Sequence, residues 1–247
     1  AALAASTFLG GSGNDGTNTA AQLKFNYADE FRGEVEIDAL GNIYVASCTF
    51  STNFPVVGGL QSANAGGLDG CIARFSADLS ELQFSTYLGG SGNDAAYSLA
   101  VAPNGNYYVC GGTTSNNFPT SPDAYQTTFN GGTADGFVVH IDAAGSNIID
   151  ATYFGSGAYD QVYFVEVDGD GNPHMYGQTM ASGSTMVFNA AYSVPNSGML
   201  VARMIPDLSA LEWSTVFGTG EGEPNMSPTA FLVDVCGKVY LSGWGGS

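Results

Sequence analysis

The chain contains 247 residues and carries a formal net charge of −18, from 23 acidic residues against five lysines and arginines. Five scattered cations cannot neutralise a phosphate backbone or an anionic lipid surface, so the composition excludes nucleic acid and anionic membranes as partners. Hydrophobic residues make up 44% of the chain, enough for a large core, yet no apolar run reaches the ~18 residues of a membrane span.

A ten-residue motif near the start of the chain returns three times. Residues 6–15 read Ser-Thr-Phe-Leu-Gly-Gly-Ser-Gly-Asn-Asp, residues 85–94 repeat them almost unchanged, and weaker copies begin at Ala151 and Ser214. We predict that residues 1–9 form a single strand that ends in the first Gly-Gly turn. A longer polar stretch, residues 17–32, explains why the first spacing, 79 residues, exceeds the later spacings of 66 and 63.

A hairpin follows each copy of the motif. Its first strand alternates apolar and polar residues, as in Val35-Glu36-Ile37-Asp38, and the returning strand begins two residues after a glycine. The four turn glycines are Gly41, Gly105, Gly171 and Gly237. A glycine at this place predicts a turn with positive φ.

A third strand is predicted at residues 69–75 and 135–141, with a weaker copy at 197–204. It is preceded by a loop that contains Asn-Phe-Pro at residues 53–55 and 117–119, and the ten-residue motif supplies the fourth strand. Four antiparallel strands in a unit of about 65 residues are typical of a β-propeller blade.

We therefore predict an all-β fold and an incomplete segment of a larger β-propeller. Its parts are the last strand of a preceding blade (1–9), three blades (33–90, 95–156 and 162–219) and the first hairpin of a further blade (229–247). Two interpretations stay open: the chain continues beyond both ends, or the terminal strands complete one blade between them.

Two kinds of segment resemble ligand-binding loops. Residues 168–172 (Asp-Gly-Asp-Gly-Asn), Asn14-Asp15 and Asn93-Asp94 place oxygen atoms close together, as calcium sites do, but hairpin and connecting turns explain all three. Residues 11–16 fit the pattern GxGxxG, yet no helix pattern follows, so a dinucleotide site is not expected. Calcium is thus the cofactor to test, and no metal or cofactor residue is assigned.

The sequence shows no recognisable set of catalytic residues. His140 and His174 lie in different strands without a triad signature. Trp213 and Trp244 suit sugar stacking, but also a blade core, and Asn225 begins a glycosylation sequon that Pro228 disfavours. A glycosidase pair would have to come from Glu34, Glu36, Glu166, Glu212, Glu221 or Glu223, all of which a solvated surface also explains.

The four cysteines, Cys48, Cys71, Cys110 and Cys236, lack the CxxC spacing of a zinc site. Disulfides would imply an oxidising compartment, and more than one pairing is open. Buried free cysteines explain the same residues equally well.

The repeat resembles the bacterial β-propeller repeat family called SBBP. The residues that carry the likeness are best seen at 85–94, 105–109, 114–119 and 135–138. Residues 29–34 and 232–246 resemble a narrower group, very large secreted Bacteroidetes proteins that bear such propellers ahead of a gliding-motility-type sorting domain. That likeness implies type IX export and a location outside the cell or on its surface. The third repeat departs from the pattern because it lacks Asn-Phe-Pro.

We expect a non-catalytic structural or adhesive module of a large secreted surface protein, in a filament, surface layer, attachment or gliding apparatus. Its partners would be other segments of the same protein or other surface proteins. A glycan-binding module is the alternative, and a polysaccharide-degrading enzyme the least favoured. We assign no catalytic residue.

Overall fold

A computed structural model describes residues 3–245 of the chain. These residues contain fourteen β-strands and two single 3₁₀ turns, Ala21–Leu23 and Asp29–Phe31, but no α-helix. No helix within this range is long and apolar enough to cross a membrane.

The strands form three four-stranded sheets and one hairpin. The first sheet contains β1 (Glu34–Ile37), β2 (Ile43–Thr49), β3 (Asp69–Phe75) and β4 (Leu82–Leu88). The second contains β5 (Asp94–Val101), β6 (Tyr107–Thr113), β7 (Asp135–Ile141) and β8 (Ile148–Phe154). The third contains β9 (Asp160–Val167), β10 (Pro173–Thr179), β11 (Met199–Met204) and β12 (Leu211–Phe217). The hairpin consists of β13 (Met226–Val233) and β14 (Val239–Gly245).

Each sheet is an antiparallel meander whose strand order follows the sequence. The sheets are the blades of an all-β propeller, so the predicted fold class is confirmed. Across residues 3–245 they form an open arc rather than a closed ring, as expected of a propeller segment.

The hairpin turns form as the sequence predicts. Gly41, Gly105, Gly171 and Gly237 have φ values of 84°, 85°, 88° and 72°, a region that side chains disfavour. The residue three places earlier often supplies a carboxylate: Asp38 accepts the N–H groups of Leu40 and Asn42 at 2.9 and 2.8 Å. Local turn chemistry therefore fixes the register of each first hairpin.

Neighbouring blades stack face to face. Tyr44, Ala46 and Ile72 of the first blade pack against Tyr107 and Val109 of the second, all at most 3% exposed. Equivalent clusters join the second blade to the third and the third to the hairpin. The first strands of successive blades, β1, β5, β9 and β13, also contact one another, so they are the inner strands around the propeller axis.

The polar stretch 17–32, which we call the strap, crosses these inner strands instead of following one blade. Asp29 is fully buried, forms an ion pair with Arg32 at 2.6 Å and accepts the Tyr163 hydroxyl at 3.0 Å. The Arg32 guanidinium lies 4.1 Å from the Tyr163 ring centre and reaches the Pro228 carbonyl at 3.1 Å. The strap thus ties the first blade to the third blade and to the final hairpin.

Residues 3–9, which belong to the strand predicted over residues 1–9 as the last strand of a preceding blade, join no sheet among the described residues, and residues 1–2 lie outside them, so that strand stays a prediction. In complete blades the same motif pairs with a third strand, as β4 pairs with β3, and residues 3–9 have no such neighbour in the described arc. Phe8 is therefore fully exposed, while Leu9 packs partly against Phe54 and Tyr87.

Candidate functional site

The connection between the first two blades is held by hydrogen bonds to the loop after β6. Asp94 accepts the Gly90 N–H at 2.8 Å, the Ser115 hydroxyl at 2.7 Å and the Thr113 hydroxyl. Asn117 Oδ1 accepts both the N–H and the hydroxyl of Ser91 at 2.9 Å. The motif Gly-Gly-Ser-Gly-Asn-Asp is therefore a connection locked onto the following blade.

The same lock occurs at the entry to the first blade. Asp15 accepts the Gly11 N–H at 2.8 Å and the Thr49 hydroxyl, and Asn53 Oδ1 accepts the Ser12 N–H at 2.8 Å. The aspartate oxygens proposed for calcium at Asp15 and Asp94 thus accept protein hydrogen bonds, and residues 11–16 lie in this connection. Turn chemistry accounts for both segments.

A tyrosine hydroxyl holds each Asn-Phe-Pro turn. Tyr87 donates to the Ser51 carbonyl at 2.7 Å and accepts the Phe54 N–H at 2.8 Å. Tyr153 does the same with the Ser115 carbonyl at 2.7 Å and the Phe118 N–H at 2.9 Å. The tyrosine of the ten-residue motif and the Asn-Phe-Pro turn are therefore two halves of one contact.

A cluster of charged side chains lies between the third blade and the final hairpin. Its walls are Asp168, Asp170, His174, Arg203, Trp213 and the turn Val235–Gly237, and its volume is about 270 Å³. We call it the charged cleft. It gathers the suggested calcium loop with His174 from one hairpin, Trp213 from β12 and Cys236 from the final hairpin, three segments that are separate in the sequence.

Asp168 is the centre of the charged cleft. Its Oδ2 accepts Nε2 of His174 at 3.1 Å and the Arg203 guanidinium at 2.8 Å, and its Oδ1 accepts the Asn172 N–H at 3.0 Å. Burial raises the pKa of Asp168, but these hydrogen bonds and the Arg203 charge outweigh it and hold the pKa well below the usual range. Glu212 pairs with Arg203 at 2.6 Å on the other side.

His174 and Trp213 form the aromatic wall of the charged cleft. Their rings meet edge to face at 5.9 Å, and His174 is only 1% exposed. Burial lowers the pKa of His174 despite the Asp168 carboxylate, so the ring is neutral at pH 7. Asp168 and Arg203 are paired with each other, whereas Asp170 is an exposed polar residue of the cleft.

The second histidine, His140, lies outside the charged cleft. His140 stacks on Tyr108 with ring centres 4.3 Å apart and contacts Asp150 at 3.3 Å. It belongs to the junction between the second and third blades, so the structure does not bring the two histidines into one site.

Three of the candidate carboxylates act on one another near the propeller axis. Glu34 and Glu36 of β1 and Glu166 of β9 lie on inner strands, and burial together with the charges of Glu34 and Glu36 raises the pKa of Glu166 to about 7. Glu34 also accepts the Leu99 N–H at 3.1 Å. Glu221 and Glu223 lie apart from them, in the connection between β12 and β13.

The remaining candidates do not meet a catalytic partner within the described residues. Trp244 is 76% exposed and lies beside Tyr27 of the strap, while Asn225 precedes β13. The four cysteines are free thiols, three buried and Cys236 exposed. Across residues 3–245 no group of three or more His, Cys, Asp or Glu side chains is placed to hold a metal ion.

The sequence interpretation missed Arg203 as the partner of Asp168, and Asp29 and Arg32 as the anchor of the strap. Both arginines were visible as two of only five cations in an acidic chain. Because an isolated buried cation needs an anionic partner, that scarcity was a usable signal.

Comparison with known proteins agrees with this geometry. Residues 83–119 match the family model described as SBBP, beta-propeller repeat, so the chain carries a repeat of that structural family. The match runs from β4 through the locked connection to the Asn-Phe-Pro turn.

A stretch of 112 residues is also 33% identical to the protein named Regulatory protein FlaEY of Caulobacter vibrioides (strain ATCC 19089 / CIP 103742 / CB 15). The alignment covers 44% of this chain and 11% of that protein, so the chain corresponds to a small part of its relative.

Proposed function

We propose that the chain is a non-catalytic structural or adhesive module of a large secreted bacterial surface protein. The observation that carries the proposal is the use of the repeat motif itself. Its conspicuous polar side chains, Asp94, Ser115, Asn117 and Tyr153, hydrogen-bond to the blade that contains them. Residues fully engaged in holding a scaffold have no free polar groups for chemistry.

The open face of the first blade supplies a docking surface in this proposal. Val35 and Ile37 are 62% and 61% exposed. Their equivalents in the second blade, Leu99 and Val101, pack against the blade before them. The partner of Val35 and Ile37 would be a further blade-forming segment of the same large protein, with surface proteins as other partners.

The location outside the cell and type IX export rest on the likeness of residues 29–34 and 232–246 to secreted Bacteroidetes proteins. The net charge of −18 suits a soluble, self-repelling surface. Antibody raised against the chain should label intact cells of the source bacterium. Labelling that requires permeabilised cells would contradict this location.

Adhesion can be tested with the purified chain coupled to beads. Beads should be retained on the source bacterium or on its extracellular matrix, and the paired substitutions Val35→Asp and Ile37→Asp should reduce retention. Ile149→Asp on the outer strand β8 is the matched control, since Ile149 is also exposed but lies away from the open face. Equal retention by uncoated beads would remove the adhesive role.

A glycan-binding module is the second candidate, and the charged cleft is the observation that favours it. Trp213 offers a stacking surface, and Asp170 offers an acceptor for sugar hydroxyls. Trp213→Ala should abolish binding on a glycan array, while Trp244→Ala should leave it unchanged. An array without any bound glycan would refute this candidate.

A polysaccharide-degrading enzyme is the weakest candidate, because the acidic side chains nearest the axis lack a histidine or arginine partner among the described residues. Turnover of any polysaccharide by the pure chain would make the enzyme the favoured candidate.

A further inference from the structure

Two pairs of buried aspartates cross the propeller's inner blade junctions. Asp69 begins β3 and Asp94 begins β5, while Asp135 begins β7 and Asp160 begins β9; all four are 0% exposed. We call Asp69–Asp94 and Asp135–Asp160 the junction acid pairs. Each joins the third strand of one blade to the inner strand of the next.

In the first pair both carboxylates approach Gly89, the glycine that follows the outer strand, and in the second pair Asp135 approaches the equivalent Gly155. A Cβ added to Gly89 would lie 2.8 Å from Asp94 Oδ2 and 3.0 Å from Asp69 Oδ1. A Cβ on Gly155 would lie 2.5 Å from Asp135 Oδ1. Each pair therefore places two acidic side chains at one buried blade junction, where two negative charges are unfavourable.

The two aspartates of the first pair differ in how many of their carboxylate oxygens accept a hydrogen bond. Asp69 Oδ2 accepts the Gln61 amide and the Ala65 N–H, both at 2.8 Å, but Asp69 Oδ1 has no partner. Asp94 instead accepts three donors, from Gly90, Thr113 and Ser115. A buried carboxylate oxygen without a donor is costly when ionised and is relieved by a proton.

In the second pair both aspartates keep one oxygen without a donor. Asp135 Oδ2 accepts the Asn130 N–H at 2.7 Å and the Gln126 amide at 3.2 Å, while Asp135 Oδ1 is unpartnered. Asp160 Oδ2 accepts both the N–H and the hydroxyl of Ser156 at 2.7 Å, and its Oδ1 is unpartnered as well.

The third junction provides a natural comparison, because both acids are replaced together. Ser197 stands where Asp69 and Asp135 stand, and Met226, which begins β13, takes the place of Asp94 and Asp160, which begin β5 and β9. A Cβ on Gly218 would lie 3.3 Å from Asn225 Oδ1 and 3.5 Å from Ser197 Oγ. Joint replacement by two neutral side chains fits a pair that acts as one unit with one proton.

We propose that each junction acid pair holds one proton between two blades and that its loss loosens the junction, which makes the propeller stiffer in mild acid than at alkaline pH. The groups that face Asp69 are Asp94, Tyr87 and Cys71. Those that face Asp135 are Asp160 and Tyr153. None of these groups offers a positive charge in place of the proton.

The direction of the pH effect follows from the pKa values. Burial and the facing aspartate raise the pKa of Asp69 to about 6 and that of Asp135 to about 7. A raised pKa in the folded state means that stability is greatest below the usual aspartate range and falls as pH rises toward 6 or 7. Each pair then makes the unfolding constant rise about tenfold per pH unit across that window.

The experiment compares the whole chain with the paired substitutions Asp69→Asn and Asp135→Asn, which mimic the protonated side chains. Wild type should lose stability between pH 5 and pH 7 and the variant should lose markedly less. Glu81→Gln with Asp123→Asn, two exposed acids, removes the same charge and should retain the wild-type slope. An unchanged slope in the asparagine variant would overturn the proposal.

Infrared titration of the Glu166→Gln chain gives a second test, in which the raised pKa of Glu166 no longer contributes. A protonated-carboxyl band should persist at pH 5.5, disappear as the pH passes about 7, and shrink when Asp69→Asn and Asp135→Asn are added. Absence of that band at pH 5.5 would also refute the proposal. Asp94→Asn should destabilise the chain at every pH, since the asparagine side chain has one acceptor oxygen in place of the two that accept these three hydrogen bonds.

Discussion

Removal of one hydroxyl, in Tyr153→Phe, tests whether the motif tyrosine and the Asn-Phe-Pro turn act as a single contact. Tyr153 is 1% exposed, and the substitution keeps the ring that packs on Phe118 and Phe129, with centres 6.0 and 6.2 Å away. What is lost is the pair of hydrogen bonds to the Ser115 carbonyl and the Phe118 N–H.

The magnitude follows from the two groups left unpaired. Each buried, unsatisfied backbone group costs about 1–3 kcal/mol, so the two groups together predict a loss of about 2–6 kcal/mol in the free energy of unfolding. For a chain of this length that corresponds to a fall of about 4–24 °C in the unfolding midpoint. Tyr87→Phe in the first blade should cost a similar amount, and the two losses should add because they lie in different blades.

The assay is urea denaturation followed by near- and far-ultraviolet circular dichroism. Tyr192→Phe is the control, since Tyr192 is 68% exposed and should change the midpoint little. A loss below about 0.5 kcal/mol for Tyr153→Phe, the level of an ordinary surface substitution, would refute the reasoning that this hydroxyl fastens the turn.

Three further substitutions test other contacts. Arg32→Met leaves the buried Asp29 carboxylate without its cation and should cost about 3–5 kcal/mol in urea denaturation; a neutral result would contradict the role of the strap. Gly111→Ala places a Cβ 1.9 Å from the Ala95 carbonyl and should cost at least about 1–3 kcal/mol, whereas Gly157→Ala, with 3.8 Å of clearance, should be tolerated. Asp168→Asn should cost about 1.5–3 kcal/mol at pH 7. Because the folded pKa of Asp168 is depressed, that difference should shrink as the pH falls below about 4, and a difference that is constant with pH would contradict the charge-based explanation.

The fold could be predicted because its signals are local and repeated. A glycine in each hairpin turn and alternating strands such as Val35–Asp38 specify the antiparallel pairs without knowledge of the rest of the chain. The strand predicted at residues 1–9 depends instead on a preceding blade outside the described residues, so it stays a prediction. A strand exists only with a neighbour, and sequence propensity at Ser6–Leu9 carries no information about whether a third strand lies beside it.

The charged cleft could not be predicted from local sequence patterns. Asp168 and His174 are six residues apart and their association follows from the hairpin, but Arg203 comes from the next strand and Cys236 from the following hairpin. Only the packing of the third blade against β13–β14 brings these segments together. Likewise, the strap residue Arg32 reaches Pro228 across 196 positions of sequence, a contact for which no periodic pattern exists.

The departures of the third repeat are best explained as losses of whole hydrogen-bond networks. It lacks Asn-Phe-Pro, and the motif tyrosine that would hold that turn is Val216. It has Ala181 and Gly183 where the second blade uses Ser115 and Asn117 to lock the connection. A buried hydroxyl or amide retained without its partner would be penalised, so loss of one member removes the advantage of the others. The sequence repeat therefore persists where its contacts are complete, in the first two blades, and decays as a set where they are not.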